Sequence, residues 1–417
     1  MRHIAKQVAL CTFGTILEWY DFSLFAALTA IMSVIFFPHT DKYAAMMSTF
    51  AVFASGFIMR PIGGIFFGQL GDRIGRKSTL LITILIMTFS TSAIGLIPTG
   101  LTISTILVVF LRLLQGFAAS GEYPGAIILL GEQTQITKKG FVASFGIFAA
   151  PAGIFFGTLI CAIASRIIEH TNMIQWGWRI PFLLAAPFGL IGFWIRKALL
   201  ESEEFKVAEA KKLLVKTPLL ILLKKYSGSF LALSCLYILS SSAFYINFIY
   251  LGSYSMNLHK LSVNDALYIN TLITLIYALS ILMFGLLSDY LGKKILMMSA
   301  CIFIISFTYP LFVFILSGSM YDQILGQAVI SALLGMFVGP LAIQSANFFP
   351  TQLRYTGVSI SLNFATAIFG GTTPIICAWL VRISNDVMMP SYYLITIALL
   401  ALGVIIFKNR KIKNNLI

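Results

Sequence analysis

Of 417 residues, 59% are hydrophobic and only 11% are charged, and the mean hydropathy is +0.92. A soluble domain carries roughly 25% charged residues, so this composition excludes one and indicates a chain that crosses a bilayer. The net charge of +14 does not mark a nucleic-acid binder, because the Lys and Arg residues fall mainly in short connections on one side of the apolar runs.

A spanning helix needs about 20 mainly apolar residues. Taken in chain order, apolar runs are predicted near 8–36, 44–69, 78–98, 103–131, 140–165, 179–198, 226–255, 264–288, 294–316, 321–349, 355–381 and 391–407. Their length and the lack of period-two alternation exclude a β-barrel. The prediction is an all-α membrane protein of twelve transmembrane helices in two pseudo-symmetric six-helix bundles, 1–198 and 226–417. The polar stretch 199–225 between them, with Glu201, Glu203, Glu204 and Lys206 near its start, is expected as a cytoplasmic linker holding a short amphipathic helix. Lys and Arg cluster at 73–77, 138–139, 196–225 and 408–413, which places both termini in the cytoplasm by the positive-inside rule. A multi-pass protein of a plasma membrane, the bacterial inner membrane, is expected.

Two segments carry the same message half a chain apart. Gly68, Asp72, Arg73, Gly75, Arg76 and Lys77 form a charged turn after the second run. Gly285, Asp289, Gly292, Lys293 and Lys294 repeat it 217 residues later (285 − 68, and 289 − 72). A duplicated bundle of this kind is expected to bind its substrate near mid-membrane and to work by rocking one half against the other. Gly68, Asp72, Arg73, Gly75, Arg76 and Asp289 are therefore read as gating residues. Glu132, closing the fourth run, is positioned to pair with Arg73 or Arg76 as a latch.

Ionisable groups inside spans are costly, so each needs a reason. Glu18 and Asp21 share a helix face with Phe25 about half-way through the first run, and Arg112 lies at a similar depth in the fourth. A carboxylate whose partner is an Arg can be ionised or protonated as that pairing changes, which is the chemistry of a proton site. Asp21, Arg112 and Glu18 are expected to couple protons, Asp21 ahead of Glu18; a static packing pair is the alternative. Gln115, Glu122, Trp19, Tyr20, Phe25, Tyr245 and Asn247 are expected to line a substrate cavity, where aromatic faces suit a quaternary ammonium. Arg60, near the inner end of the second run, is expected to snorkel. Gly146, Pro151, Gly153 and Gly157, with Gly370, Gly371 and Pro374, suit close packing or hinges. The five scattered cysteines read as packing residues, with no metal-ligand spacing. No phosphate-binding loop with the Gly-x4-Gly-Lys pattern occurs, so no cofactor is expected and a proton gradient is the expected energy source.

These strings resemble the major facilitator superfamily: 68–77, and Arg112 with Gln115 and Gly116. Longer ones at 17–22, 60–64, 121–126, 176–182 and 349–355 resemble its metabolite:proton symporter branch, whose members carry proline, betaine, 2-oxoglutarate, citrate or shikimate. Stretches 90–99 and 388–394 look most like the proline/betaine transporters. The resemblance implies a secondary active transporter, not an enzyme: proton-coupled symport of a small polar metabolite, a proline/betaine-type zwitterion, by alternating access. Its partners would be that small molecule, the proton and the lipid bilayer, with no nucleic acid and as a monomer. Symport of a di- or tricarboxylate, or proton-driven export, are the alternatives. Departures are Ser120, Tyr290 and Lys293, where the branch usually has Gly, Arg and Arg. The C-terminal coiled coil of some osmosensing members has no counterpart in this sequence, so osmotic activation is not expected.

Overall fold

The computed structural model describes residues 2–37, 42–133, 137–252, 263–317 and 319–414. Described residues are helical almost throughout. Ten helices among them are long and apolar enough to cross a membrane. The first two helical regions, which carry Glu18, Asp21 and Arg60, complete a twelve-helix bundle protein.

The helices in the first half are α1 (Arg2–Ala27), α2 (Thr29–Phe36), α3 (Lys42–Ile74), α4 (Arg76–Leu96), α5 (Thr102–Gly131), α6 (Lys139–Ile167), α7 (His170–Asn172) and α8 (Arg179–Lys197). The predicted single run 8–36 bends at Leu28, whose φ and ψ are −100° and 14°. The Thr29 hydroxyl donates to the carbonyls of Phe25 and Ala26, a local bond that competes with the helix. The helix α3 extends beyond the predicted 69 to carry Asp72 inside its last turn, and Gly75 ends it at φ +100°. A Cβ there would also lie 2.2 Å from Glu201 Oε2, so glycine is required twice over.

The predicted linker helix is two short ones, α9 (Glu203–Ala210) and α10 (Pro218–Lys225). Between them Lys212 takes a left-handed φ of 53° and Pro218 starts the second helix, where its missing N–H costs nothing. The second half follows as α11 (Ser227–Tyr245), α12 (Val263–Leu291), α13 (Lys293–Ser317), α14 (Met320–Ala346), α15 (Thr351–Ala365), α16 (Gly371–Ser384) and α17 (Met389–Asn414). The end of the predicted run 226–255 and the start of 264–288 lie partly outside the described residues. π-Helical turns at Met173–Gly177, Ile246–Tyr250 and Thr366–Gly370 widen the helix before α8, after α11 and before α16. The third precedes Pro374, which cannot donate to the helix ladder.

The chain forms two compact units. The first holds residues 1–134, 149–221 and 351–360; the second holds 135–148, 222–350 and 361–417. Each unit thus takes in one short helical stretch from the other half of the sequence. In the first unit α3 lies so close on α5 that a Cβ on Gly116 would sit 1.8 Å from the carbonyl oxygen of Gly56. Gly153 and Gly157 let α6 approach α1 at Ile16, Trp19 and Ser23 in the same way, so this glycine motif is explained by packing. In the second unit Gly335 and Gly339 meet Ser280 and Ile281.

Candidate functional site

The first unit contains a polar core built by α1, α3, α4, α5 and α8. The Asp21 carboxyl of α1 interacts with the Thr91 hydroxyl of α4, and Thr91 Oγ1 accepts from Gln115 Nε2 at 2.7 Å. Gln115 Oε1 in turn accepts from Arg112 Nη1 at 2.8 Å. The path from Asp21 to Arg112 therefore runs through Thr91 and Gln115, where the sequence suggested a direct clamp. Spacing along α1 and α5 gives equal depth but leaves the rotation of each helix open, and α4 supplies the intermediate hydroxyl. All four side chains are buried. The Arg112 guanidinium lies 4.8 Å from the ring centres of Phe22 and Phe25, so an aromatic bracket holds its other faces.

Arg60 does not snorkel. It is 2% exposed and its guanidinium stands 4.9–5.5 Å from the rings of Phe57, Phe22 and Trp19. Three aromatic faces replace the water that the residue was expected to reach. Trp19 also meets Tyr123 edge-on, and Tyr20 donates its hydroxyl to the Pro181 carbonyl at 2.7 Å.

Glu122, expected to line the substrate cavity, is held by side chains of three other helices. Its carboxylate receives both Nη groups of Arg196 and the hydroxyls of Thr15 (3.2 Å) and Thr83 (2.7 Å). Arg196, from the last turn of α8, was read from the sequence only as one of many inner-side charges. A buried bidentate pair of this kind locks four helices at one point. In the second unit, Asn247 Nδ2 donates to Ser331 Oγ at 2.8 Å, and Tyr245 packs against Phe244 and Gly370.

The charged turn forms a second cluster. Arg76 gives two 2.9 Å hydrogen bonds to Glu132, lies 3.5 Å from Asp72, and donates to the carbonyls of Gly71 (2.9 Å) and Thr351 (2.7 Å). Of the two partners considered for Glu132, Arg76 is the one used; Arg73 donates to the Lys216 carbonyl. Arg354 adds bonds to Glu132 (2.8 Å) and Glu204 (2.6 Å). Asp72 accepts from the backbone N–H groups of Tyr355 (3.0 Å) and Thr356 (2.9 Å). Gly68 and Gly71 admit this segment: a Cβ on either would strike Thr356 or the Tyr355 ring.

Burial pushes the Asp72 carboxyl up from 3.8 to about 6, despite Arg76 and the two N–H groups drawing it down. Burial acts on Glu132 too, but Arg76 and Arg354 outweigh it and hold that carboxyl below its ordinary 4.5. Glu201, which the sequence left in the linker, caps α4 by accepting from the N–H groups of Arg76 (3.0 Å) and Lys77 (3.1 Å). In the second unit Asp289 accepts from the N–H groups of Gly140 (2.7 Å) and Phe141 (2.9 Å) at the start of α6.

Residues 11–374 match the model of the Major Facilitator Superfamily. The chain is 34% identical over 417 residues to the proline/betaine transporter of Salmonella typhimurium strain LT2, covering 96% of this chain and 82% of that protein. It is 33% identical over 413 residues to the glycine betaine/proline/ectoine/pipecolic acid transporter OusA of Dickeya dadantii, with the same coverage. Among solved structures, the proton:xylose symporter XylE aligns with TM-score 0.78 at 16% identity, covering 98% of this chain and 95% of that one. The human organic anion transporter MFSD10 aligns with TM-score 0.72 at 15% identity, covering 96% and 99%. At such identities the structures speak for the fold alone, whereas the family model and the curated relatives speak for descent. The chain belongs to the major facilitator superfamily of membrane transporters, among the relatives of the proline/betaine transporters.

Proposed function

We propose that the protein is a proton-coupled symporter that takes up a small zwitterion of the proline or betaine kind by alternating access. The observation that carries this reading is 34% identity along 96% of the chain to a protein named for that transport. The buried polar core supports the coupling part. Asp21 is the primary proton site, with Glu18 one helical turn away as its neighbour and Arg112 biasing Asp21 through Gln115 and Thr91. Protonation of Asp21 weakens it as an acceptor for Thr91 and gives it an O–H to donate, so the Thr91 hydroxyl can turn and its bond from Gln115, which also holds Arg112, is disturbed. A local proton event is thereby converted into a rearrangement of three helices.

Trp19, Tyr20, Phe25, Tyr245 and Asn247 are proposed to serve substrate binding, the aromatic faces suiting a quaternary or secondary ammonium. Gly68, Asp72, Arg73, Gly75, Arg76, Glu132 and Asp289 are proposed to gate. We place the protein in a bacterial inner membrane with both termini in the cytoplasm, acting as a monomer and drawing on the proton gradient. A di- or tricarboxylate is the less favoured substrate, since the Salmonella and Dickeya relatives are named for proline, betaine, ectoine and pipecolic acid. The test is uptake by proteoliposomes under an imposed pH gradient, with labelled proline, betaine, 2-oxoglutarate and citrate, with and without a protonophore. Protonophore-sensitive accumulation of proline or betaine is expected; accumulation of citrate or 2-oxoglutarate alone would replace the substrate class.

A further inference from the structure

A water-sized cavity of about 10 Å³ lies inside the first unit, lined by Glu18, Asp21 and Glu122 with Leu17, Ile84, Met87, Thr88, Phe188 and Gly189. Room of about that size holds one water when two or more polar groups face it. Three of the lining residues carry a carboxyl group. Glu18 is 4% exposed, and its Oε2 has no hydrogen-bond partner among the described residues. A buried acid with an idle oxygen on such a cavity is a group waiting for a donor or acceptor.

We propose that Glu122, held by Arg196, is the second proton station of the transporter, reached from Glu18 through a single water in this cavity. The inference rests on the proton-symport reading and extends it. Order along the helices supports the direction. Glu18 precedes Asp21 by one turn toward the basic N-terminal end of α1, and Glu122 lies ten residues, about 15 Å, beyond Arg112 toward the charged end of α5. The three acids thus descend from the middle of the helices to the end where the charged turns lie.

The groups facing the cavity acids are accounted for by element. α1 brings Cys11, which faces the Ala126 carbonyl, besides Glu18 and Asp21. α1 also brings Tyr20, α3 brings Arg60, α5 brings Glu122, α8 brings Arg196, α4 brings the hydroxyls of Thr83 and Thr91, and α15 brings Tyr355, whose hydroxyl donates to the Gly121 carbonyl. The transfer balances simply. Protonated Glu18 gives its proton to the water, and the water gives one of its own to the Glu122 carboxylate. Glu18 is left ionised, Glu122 neutral, and Arg196 keeps its charge throughout. Because Glu122 is paired in the described arrangement, the step requires Arg196 to yield. Arg196 sits at the last turn of α8, where the chain enters the linker, so a shift of that turn would loosen the pair. Gly14 allows the guanidinium its place: a Cβ there would lie 2.1 Å from Arg196 Nε.

The experiment uses the full chain in liposomes loaded with a pH-sensitive dye, with labelled proline as substrate. Proton influx and gradient-driven accumulation are read beside counterflow exchange, which needs no net proton transfer. Glu122→Gln removes the station, and Thr88→Ile fills the cavity while leaving every charged group in place. Both are expected to lower proton-driven accumulation about tenfold or more relative to counterflow. Wild-type coupling that survives in both variants overturns the relay. Equal loss of both readouts in the two variants also overturns it, since that marks a structural role. Should Glu122→Gln fail to insert as a folded protein, Thr88→Ile carries the decision. Wild-type protein that moves proline with no proton influx overturns the symport reading, and the relay with it.

Discussion

Asp289 repeats at one helix start what Asp72 does near another. Asp72 accepts from Tyr355 and Thr356 in α15, and Asp289 accepts from Gly140 and Phe141 in α6. The acceptors are 217 residues apart (289 − 72) and the first donors 215 (355 − 140), so the duplicated sequence has kept a duplicated contact with a two-residue drift. A carboxylate near a helix N-terminus meets the positive end of the helix dipole, worth about 0.3–1 kcal/mol when exposed and up to ~2 kcal/mol when partly buried. The surroundings differ more than the contact. Asp72 lies with Arg76, Glu132 and Arg354, a network of opposite charges that Asp289 lacks among the described residues.

The raised pKa of Asp72 makes its buried arrangement proton-sensitive. Its carboxyl sits at about 6 where it is buried and near 3.8 when exposed. A raised acid favours the buried state at low pH, and that contribution is lost as pH rises through about 6. Glu132, being lowered, stays ionised across this range and adds no slope. Hydrogen exchange at the Tyr355 and Thr356 amides, corrected for intrinsic rate, should show less opening at pH 5.5 than at pH 7.5. Asp72→Asn should flatten that difference. An unchanged slope in the variant would assign the pH response elsewhere.

Glu132 is the hub of the charged cluster. Glu132→Gln leaves two arginines short of a counter-charge, one of them fully buried, and breaking a buried pair this way costs about 3–5 kcal/mol. Arg354→Gln removes a buried donor but leaves Arg76 on Glu132, so its cost should be smaller, about 1–3 kcal/mol. Thermal unfolding in detergent should rank Glu132→Gln below Arg354→Gln, which in turn lies below wild type. The reverse order would mean that Arg354 and not Arg76 carries the cluster.

Legibility in the sequence followed how local each signal was. The charged turns could be read because their residues are adjacent and repeated, and the spans because hydropathy needs no partner. Arg60, Arg196 and Thr91 could not be read in the same way. Their roles depend on which way a helix is rotated, and α1, α3, α4 and α8 all bring polar groups to similar depths. Glu201 and Glu204 looked like ordinary linker charge, yet one caps α4 and the other holds Arg354. Their meaning lies with Arg76 and Arg354, 125 residues before one and 150 after the other, where no spacing rule reaches.

Close packing in the first unit yields a contrast between two glycines. Gly116→Ala would place a methyl 1.8 Å from the Gly56 carbonyl, forcing α3 and α5 apart. Overpacking of this kind costs typically about 1–3 kcal/mol, and backbone against backbone puts it at the upper end. Gly403→Ala meets nothing within 4 Å and sits inside α17, where alanine gains up to about 1 kcal/mol of helix propensity. Gly116→Ala should reduce the yield of monodisperse protein severely, while Gly403→Ala should match or exceed wild type. Equal yields would mean that the two helices have slack at this crossing.

Thr91 is the residue on which the coupling of Asp21 to Arg112 turns. Its hydroxyl serves Asp21 and accepts from Gln115, so Thr91→Val cuts both links with little change in volume. A buried Gln amide and a buried carboxylate then each lose a partner, a cost of about 1–3 kcal/mol per group and hence a rearranged core. The expectation is a fall in proton-driven accumulation of about tenfold, with a shifted pH profile for uptake. Thr91→Ser keeps the hydroxyl and should recover most of the activity, which a packing role for the methyl would not allow. Asp21→Asn should abolish accumulation and leave counterflow partly intact, because a permanently neutral side chain can exchange substrate but cannot move a proton. If Thr91→Val retains both the rate and the pH profile of wild type, Asp21 works without Arg112 and the hydroxyl is a packing contact.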